Sequence, residues 1–383
     1  MSFMDEIVKW LDENAPTELL GTSRGGGAFD GYWGGRRAVD STPARLRWLE
    51  VCASRGLCAP TWLPAYGGAG LSREEAASFE ALLRERGLPQ PLVGFGLAML
   101  GPVLLEFGTE DQKRRHLPGI ASGQIRWCQG YSEPEAGSDL AALACKAEIH
   151  DEEIVLTGQK VWTSHADECD CMFALVRTST KGRKQEGISF VLVDLEQSGV
   201  ERRRIRLISG ASPFCEVFFD EARAKLSDLV GGRDQGWTVA KALLGHERTA
   251  IGSAIGSQLV SLEKALVGAA RQHLGVDDGP LPDGLLRDAI ARCLIDERCL
   301  ALTISRVGQS DRPGPESSVL KIVGSEIKQR RHALMMRLTA DEGLGADDDV
   351  TRDWLRSRAN TIEGGTTEIQ LNIIAQRVLG LST

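Results

Sequence analysis

The chain has 383 residues, 42% hydrophobic and 26% charged, with 53 Asp and Glu against 45 Lys and Arg and a net charge of -8. At roughly 100–200 residues per domain, that length predicts two or three domains with a sizeable core, and the composition excludes a disordered or collagen-like chain. The acidic balance argues against a dedicated nucleic-acid surface, and no apolar run reaches the roughly 20 residues of a membrane span.

The first residues, MSFMDEIVKWLDE, are acidic and amphipathic, unlike a signal or transit peptide, so the expected location is the cytoplasm. Ile7, Trp10 and Leu11 recur at helical spacing, as do Leu46, Leu49 and Ala53. Ala59 to Gly70, with two prolines and three glycines, separates one helix from the next. Ser72 followed three residues on by Glu75 reads as a capping box, and Pro118 is expected to close a helical region running from Met1 to Ser122.

From Arg126 to Lys225 the pattern is that of strands. Residues 147–150 and 153–156 flank the turn Asp151-Glu152 and predict a hairpin. Further strands are expected at Cys171–Val176, Ile188–Val193, Arg204–Leu207 and Val217–Phe219, with Thr178 to Gly187 as an exposed hairpin loop. After Gly231-Gly232 the helical period returns, interrupted by loops at Gly275–Gly284 and Asp347–Asp349. The expected fold is therefore α+β: an N-terminal helical domain over 1–122, a middle antiparallel β-barrel or sandwich over 123–230, and a C-terminal helical bundle over 231–383.

The nine cysteines are scattered, with Cys128, Cys215, Cys293 and Cys299 in apolar stretches, which fits buried thiols in a reducing compartment. His165, Cys169 and Cys171 match no zinc-ligand spacing, so no metal site is assigned.

Four segments carry chemistry. Ser132-Glu133-Pro134-Glu135-Ala136-Gly137-Ser138-Asp139 forms a turn whose N–H groups can converge on an anion, or a plain polar turn leaving a strand. In Gly158–Ser164, Trp162 followed by Thr163 and Ser164 offers a flat wall with hydroxyl donors; an isolated strand tryptophan is more often core. On the helix from Thr238 to Leu262, Glu247 sits amid Leu243, Leu244, Ala240, Val239, Ala250, Ile251, Ala254 and Ile255. A carboxyl in such a stripe is either a general base, its pKa raised by burial, or one half of a buried pair with a cation such as Arg248. Finally, Thr361–Glu368 places two glycines and a Thr cap at a helix start, a candidate oxyanion or phosphate site, with Glu368 as a complement to the helix dipole.

Taken together the strings APTWLPAYGGAGLS, LLEFGTEDQKRRHLPGIASG, SEPEAGSDL, GQKVWTSHA, LLGHERTAIG and EGGTTEIQLNIIAQRVLGL resemble, in order and over nearly the whole chain, the acyl-CoA dehydrogenase family. The resemblance implies a C-terminal four-helix bundle and FAD between it and the β-domain. It also implies conversion of an acyl-CoA thioester to the trans-2-enoyl-CoA, and reoxidation by an electron-transfer flavoprotein or similar acceptor. The alternatives are an acyl-CoA oxidase, a related flavin enzyme on a non-CoA substrate, or a non-catalytic subunit completing a partner's FAD site.

By the same resemblance, Gln129, Tyr131, Ser132, Gly137, Ser138, Trp162, Ser164, Thr366 and Glu368 are the expected cofactor contacts, and Ser138 and Arg248 the expected substrate contacts. The base falls on Glu247, with Glu363 as the alternative, because Gly364 occupies the position where straight-chain members carry a glutamate. Gly364 N–H would then bind the thioester carbonyl. Two stretches depart from the family pattern, Arg271-Gln272-His273-Leu274-Gly275 and Asp341-Glu342-Gly343-Leu344-Gly345-Ala346; both normally help hold the adenine half of FAD. Homo- and hetero-oligomers, dimeric or tetrameric, both fit the resemblance, and these departures point to a hetero-oligomer. Gly252, Ala254 and Gly256 favour a branched or bulky acyl group, such as a steroid side chain.

Overall fold

The computed structural model describes residues 3–23, 31–37, 41–245, 266–308, 314–315, 317–339 and 348–382. They divide into two compact units: Met1–Ile205 with Pro213–Glu247, and Arg206–Ser212 with Arg248–Thr383. Glu247, Arg248, Gly252, Ala254, Gly256 and the stretch Asp341–Ala346 lie outside the described residues.

The first unit opens with helices α1 (Phe3–Asn14), α2 (Pro43–Ser54), α3 (Arg73–Glu85), α4 (Gly101–Phe107) and α5 (Glu110–Ala121). Ile7 and Leu11 of α1 are fully buried, as their spacing predicts. In α2 the buried face is Ala44, Trp48, Leu49 and Cys52, while Leu46 is exposed. The expected stripe is therefore rotated, because Trp48 is the larger anchor and its indole N–H reaches the Pro89 carbonyl at 3.0 Å. Ser72 and Glu75 form the expected capping box at the start of α3, and Thr109 with Gln112 forms a second at α5. Pro118 does not end its helix: α5 continues to Ala121, giving up only the one hydrogen bond a proline nitrogen cannot donate.

Eight strands follow: β1 (Trp127–Gly130), β2 (Lys146–His150), β3 (Glu153–Ser164), β4 (Cys171–Arg177), β5 (Ile188–Asp194), β6 (Val200–Ile205), β7 (Phe214–Lys225) and β8 (Leu229–Val230). They form one sheet in the order β6-β7-β3-β2-β4-β5-β8, with β1 paired to β4. The β2–β3 hairpin has the predicted register, His150 opposite Glu153, and Asp151 turns with a φ of 49°. Pairing is antiparallel except where β4 meets β1 and β2, which run parallel to it. Strand β4 is buried on both faces: Phe173 and Leu175 join a core shared with Met99, Leu100 and Trp127, while Met172, Ala174 and Val176 join one shared with Leu156 and Val217. That explains its unbroken apolar run.

Helix α6, described over residues 236–245, closes the first unit. Val239, Ala240 and Leu243 are buried there and Leu244 is partly buried, so the described half of the apolar stripe around Glu247 is a packed face. The second unit is helical among the described residues: residues 266–274, then α7 (Gly284–Gly308), α8 (Ser317–Leu338), α9 (Asp349–Ser357) and α10 (Thr367–Ile373). Its core includes Leu266, Ile290, Cys293, Leu320, Ile327 and Leu334. A buried ion pair joins α7 to α8: Arg331 donates its Nε to Glu297 at 2.7 Å, both side chains at most 5% exposed. The described cysteines are all free, and all but Cys299 are buried. No helix among the described residues is long and apolar enough to cross a membrane.

Candidate active site

In the first unit the chain leaves β1 through Tyr131 and Ser132 into a tight turn, Glu133 and Ala136 exchanging backbone bonds at 3.0 Å each. Gln129 and Ser132 are half-buried, and Gly137 and Ser138 are exposed beyond the turn. The Tyr131 ring points the other way. It is 6% exposed and stands edge-on to Phe173 and Phe190, with centroids 6.2 and 6.5 Å away. Val161 N–H donates to the Ser132 carbonyl at 2.9 Å, tying this loop to β3.

Strand β3 carries a bulge. Lys160 pairs with Val217 and Thr163 with Cys215, so three steps on β3 span two on β7. The extra residue turns the chain, and Trp162 takes a φ of 58°, a region that bulky side chains rarely adopt. Lys160 and Thr163 are buried, while the Trp162 ring is 56% exposed and edge-on to Phe214 at 6.1 Å. Such strain persists only where the surroundings enforce it, and it clusters at functional sites. An exposed indole with half-buried Ser164 two residues on fits one face of a planar heteroaromatic ring such as isoalloxazine.

In the second unit the turn before α10 is built around glycines. Gly364 and Gly365 have φ of 63° and 89°, and Gln370 donates to the Gly364 carbonyl at 3.2 Å. The φ of Gly365 favours glycine, and a Cβ there would lie 2.4 Å from Gln370 Nε2 and push that side chain off the Gly364 carbonyl. Thr366 caps α10, accepting from Ile369 N–H. Glu368 is exposed, and its own backbone N–H, followed by the Thr366 hydroxyl, holds its carboxyl below the usual range. The helix start thus already holds a carboxylate.

Glu363 is not a free carboxylate. Arg356 grips both its oxygens, at 3.1 and 2.7 Å, and Asn360 donates to Oε1. Lys321 on α8 is 8% exposed and its Nζ has no hydrogen-bond partner among the described residues. Burial lowers its pKa, against the opposing fields of Glu363 and Glu368. At the departure noted above, the helix of residues 266–274 ends at Gly275 and Arg271 donates to the carbonyls of Asp277 and Gly279, both at 3.1 Å.

Three family models match in order: the acyl-CoA dehydrogenase N-terminal domain over residues 36–124, the middle domain over 128–222 and the C-terminal domain over 234–379. The acyl-CoA dehydrogenase IpdE1 of Mycobacterium tuberculosis is 36% identical, across 99% of this chain and 97% of that protein. This chain belongs to the acyl-CoA dehydrogenase family. It is accordingly an FAD-dependent oxidoreductase that dehydrogenates acyl-CoA thioesters. Another relative, FadE34 of the same organism, is 38% identical over 90% of this chain but only 47% of its own length. Among solved structures, the ChsE4–ChsE5 complex of Mycobacterium tuberculosis superposes with a TM-score of 0.75 at 25% identity, covering 100% of this chain and 97% of that one. A chain of the Tcur3481–Tcur3483 steroid ACAD shares the fold, with a TM-score of 0.76 at 24% identity over 99% of this chain and 96% of that one.

Several residues that shape this dehydrogenase's candidate site were not singled out in the sequence. Arg356 carries no spacing signal, since its partner lies beyond the end of its helix. Lys160 does carry one: it follows Ile154 and Leu156 on the inward face of β3, where a charge needs a partner. Arg177, at the end of β4, donates to the carbonyls of Ala141 and Leu143 and so pins the far end of the 131–143 loop.

Proposed function

We propose that this dehydrogenase oxidises a branched or bulky acyl-CoA, such as one with a steroid side chain, using Glu247 as base, and works in the cytoplasm as one half of a hetero-oligomer with a related chain. The observation that carries the base assignment is the state of the alternative. Glu363 is clamped by Arg356 and Asn360, and Gly364 has no side chain to offer. In the sequence Glu247 continues the apolar stripe of Val239, Ala240 and Leu243, which are buried; a carboxyl buried with them gains affinity for a proton. In this reading Glu247 takes the α-proton, the Gly364 N–H donates to the thioester carbonyl, and Ser138 and Arg248 contact the CoA substrate. Trp162, Ser164, Gln129, Ser132 and Gly137 hold the flavin, Tyr131 contributing through its backbone and Thr366 and Glu368 flanking the cofactor from the α10 start. FAD, when bound, supplies the acceptor for the β-hydride and passes electrons to an electron-transfer flavoprotein or similar acceptor. Residues 1–122, 123–230 and 231–383 form the three domains of this arrangement.

The hetero-oligomer rests on the adenine side. Arg271 spends its guanidinium on its own loop carbonyls, and the α10 start holds Glu368 rather than a neutral side chain. The ChsE4–ChsE5 relative is itself a complex of two proteins. The small residues Gly252, Ala254 and Gly256, which follow Glu247 in the sequence, and the steroid ACAD description of one solved chain of this fold support a bulky substrate.

The test is an acyl-CoA panel with an artificial electron acceptor, run on the chain alone and co-expressed with a homologous partner. Stable FAD and turnover of bulky acyl-CoAs are expected only with the partner. Full FAD occupancy in the chain alone overturns the hetero-oligomer, and preference for short straight chains overturns the substrate class.

A further inference from the structure

Lys160 is completely buried. Its Nζ lies 2.6 Å from Glu133 Oε1 and 3.3 Å from the Tyr131 carbonyl. Glu133, 8% exposed, also accepts the backbone N–H groups of Ala144 at 2.6 Å and Cys145 at 2.9 Å. A single carboxylate therefore joins three separate stretches: the start of the loop after β1, the end of that loop at β2, and the middle of β3. A buried ion pair adds little net stability over a well-packed apolar pair. What three directed bonds on one carboxylate do provide is a fixed orientation.

We propose that Lys160 and Glu133 are positioning residues that set the two surfaces offered to the flavin ring, the 131–138 loop and the Trp162 bulge. This rests on the placement of those two surfaces against FAD proposed above. The mechanism follows from strand periodicity. Alternation along β3 puts Ile154, Leu156 and Lys160 inward, and an unbroken strand would turn Trp162 inward as well. Lys160 is held in by Glu133 and Thr163 is buried on the other side of the bulge. With both ends fixed, the one extra residue must be absorbed between them, and the indole is driven outward at a φ of 58°. The same pair fixes the loop, since Tyr131, Ala144 and Cys145 all bond to it directly. Val161 N–H to Ser132 O, one residue from each partner, completes the link. Neither Lys160 nor Glu133 reaches the surface, so each acts through the groups it holds.

The test uses the protein with its partner chain, as wild type, Lys160→Met and Glu133→Asp. Three quantities are read: the Kd for FAD from titration of the FAD-stripped protein, the resolved structure of the flavin absorption bands, and the Tm of the stripped protein. Glu133→Asp keeps both charges but shortens the anchor by one methylene, so it is expected to keep its Tm while FAD binds at least about tenfold more weakly, with blurred flavin bands. Lys160→Met is expected to show the same loss, more strongly. If Lys160→Met does not fold, Glu133→Asp decides alone. A folded variant whose FAD Kd stays within twofold of wild type and whose flavin bands are unchanged overturns the positioning role and leaves the pair as a structural bridge. A wild-type protein whose FAD affinity is indifferent to Trp162→Ala overturns the flavin placement itself, and the inference with it.

Discussion

The assignment of the base predicts an asymmetry between two glutamates. Replacing Glu363 by Gln keeps the shape of a side chain that accepts two bonds from Arg356 and one from Asn360. The two partners are 33% and 38% exposed, so solvent screens the pair and its loss costs about 1 kcal/mol or less, a Tm change of about 1 °C at this size. If Glu363 only orders the turn before α10, acyl-CoA-dependent flavin reduction falls by less than about tenfold. Replacing Glu247 by Gln removes the proton acceptor. General-base catalysis is worth roughly 10²- to 10⁴-fold, equivalent to about 2.7–5.5 kcal/mol of barrier. The assay is anaerobic single-turnover bleaching of the flavin by acyl-CoA, with α-proton exchange in D2O as a second readout that does not require hydride transfer. The reasoning is refuted if Glu363→Gln, at unchanged Tm and FAD content, loses bleaching and exchange about a hundredfold while Glu247→Gln retains them.

Further outcomes follow from other sites. Trp162→Ala removes a ring already 56% exposed, so stability changes by less than about 1 kcal/mol; FAD affinity drops about tenfold, the worth of one aromatic contact, and an unchanged Kd in FAD titration argues against the flavin role. Arg331→Met strands the buried Glu297 carboxylate and costs about 3–5 kcal/mol in urea unfolding, most of it recovered in the double variant with Glu297→Leu; a single-variant cost under about 1 kcal/mol contradicts this. Burial, with Lys328, Arg331 and Arg358 nearby, pushes His332 down to about 4. The unfolded chain takes up this proton near pH 6.5 and the folded chain only near 4, so its contribution is complete above pH 6.5 and is lost as the pH falls toward 4. The loss is at most about 3 kcal/mol, and His332→Gln is expected to flatten that part of the urea midpoint against pH profile; an unchanged slope refutes it.

Which features were legible in the sequence follows from which physics is local. The capping box at Ser72 and Glu75 and the β2–β3 hairpin depend on neighbours within a few residues, and both stand where the pattern put them. The choice of buried face in α2 does not. Leu46 and Trp48 both suit a core, and only the Pro89 carbonyl, 41 residues away, settles which one turns in. Trp162 shows the limit most clearly. Strict alternation places it inward with Leu156 and Lys160, the ordinary reading of a strand tryptophan. One inserted residue reverses that, and no glycine marks the bulge because the conformation is enforced by distant contacts. Lys160 is the available signal: a lysine in phase with Ile154 and Leu156 demands a buried acid, and Glu133 lies in the Ser132–Asp139 turn.

A pyrophosphate needs cations or free N–H donors. Arg356 is held by Glu363, Arg271 by its loop carbonyls, and Arg358 lies over the Trp354 ring while donating to the Gln329 carbonyl. Lys321 is buried in the field of two glutamates, and the α10 start is occupied by Glu368. The three arginines are thus committed within their own unit, and Lys321, whose Nζ has no hydrogen-bond partner among the described residues, is buried. Where the flavin ring is proposed to sit the chain does the opposite, and sustains a strained backbone that leaves an indole exposed. This division is what a chain would show if it kept the ring contacts and drew the phosphate contacts from a different subunit. If the partner proposed above supplies those contacts, its removal releases FAD without changing the exposure of Trp162.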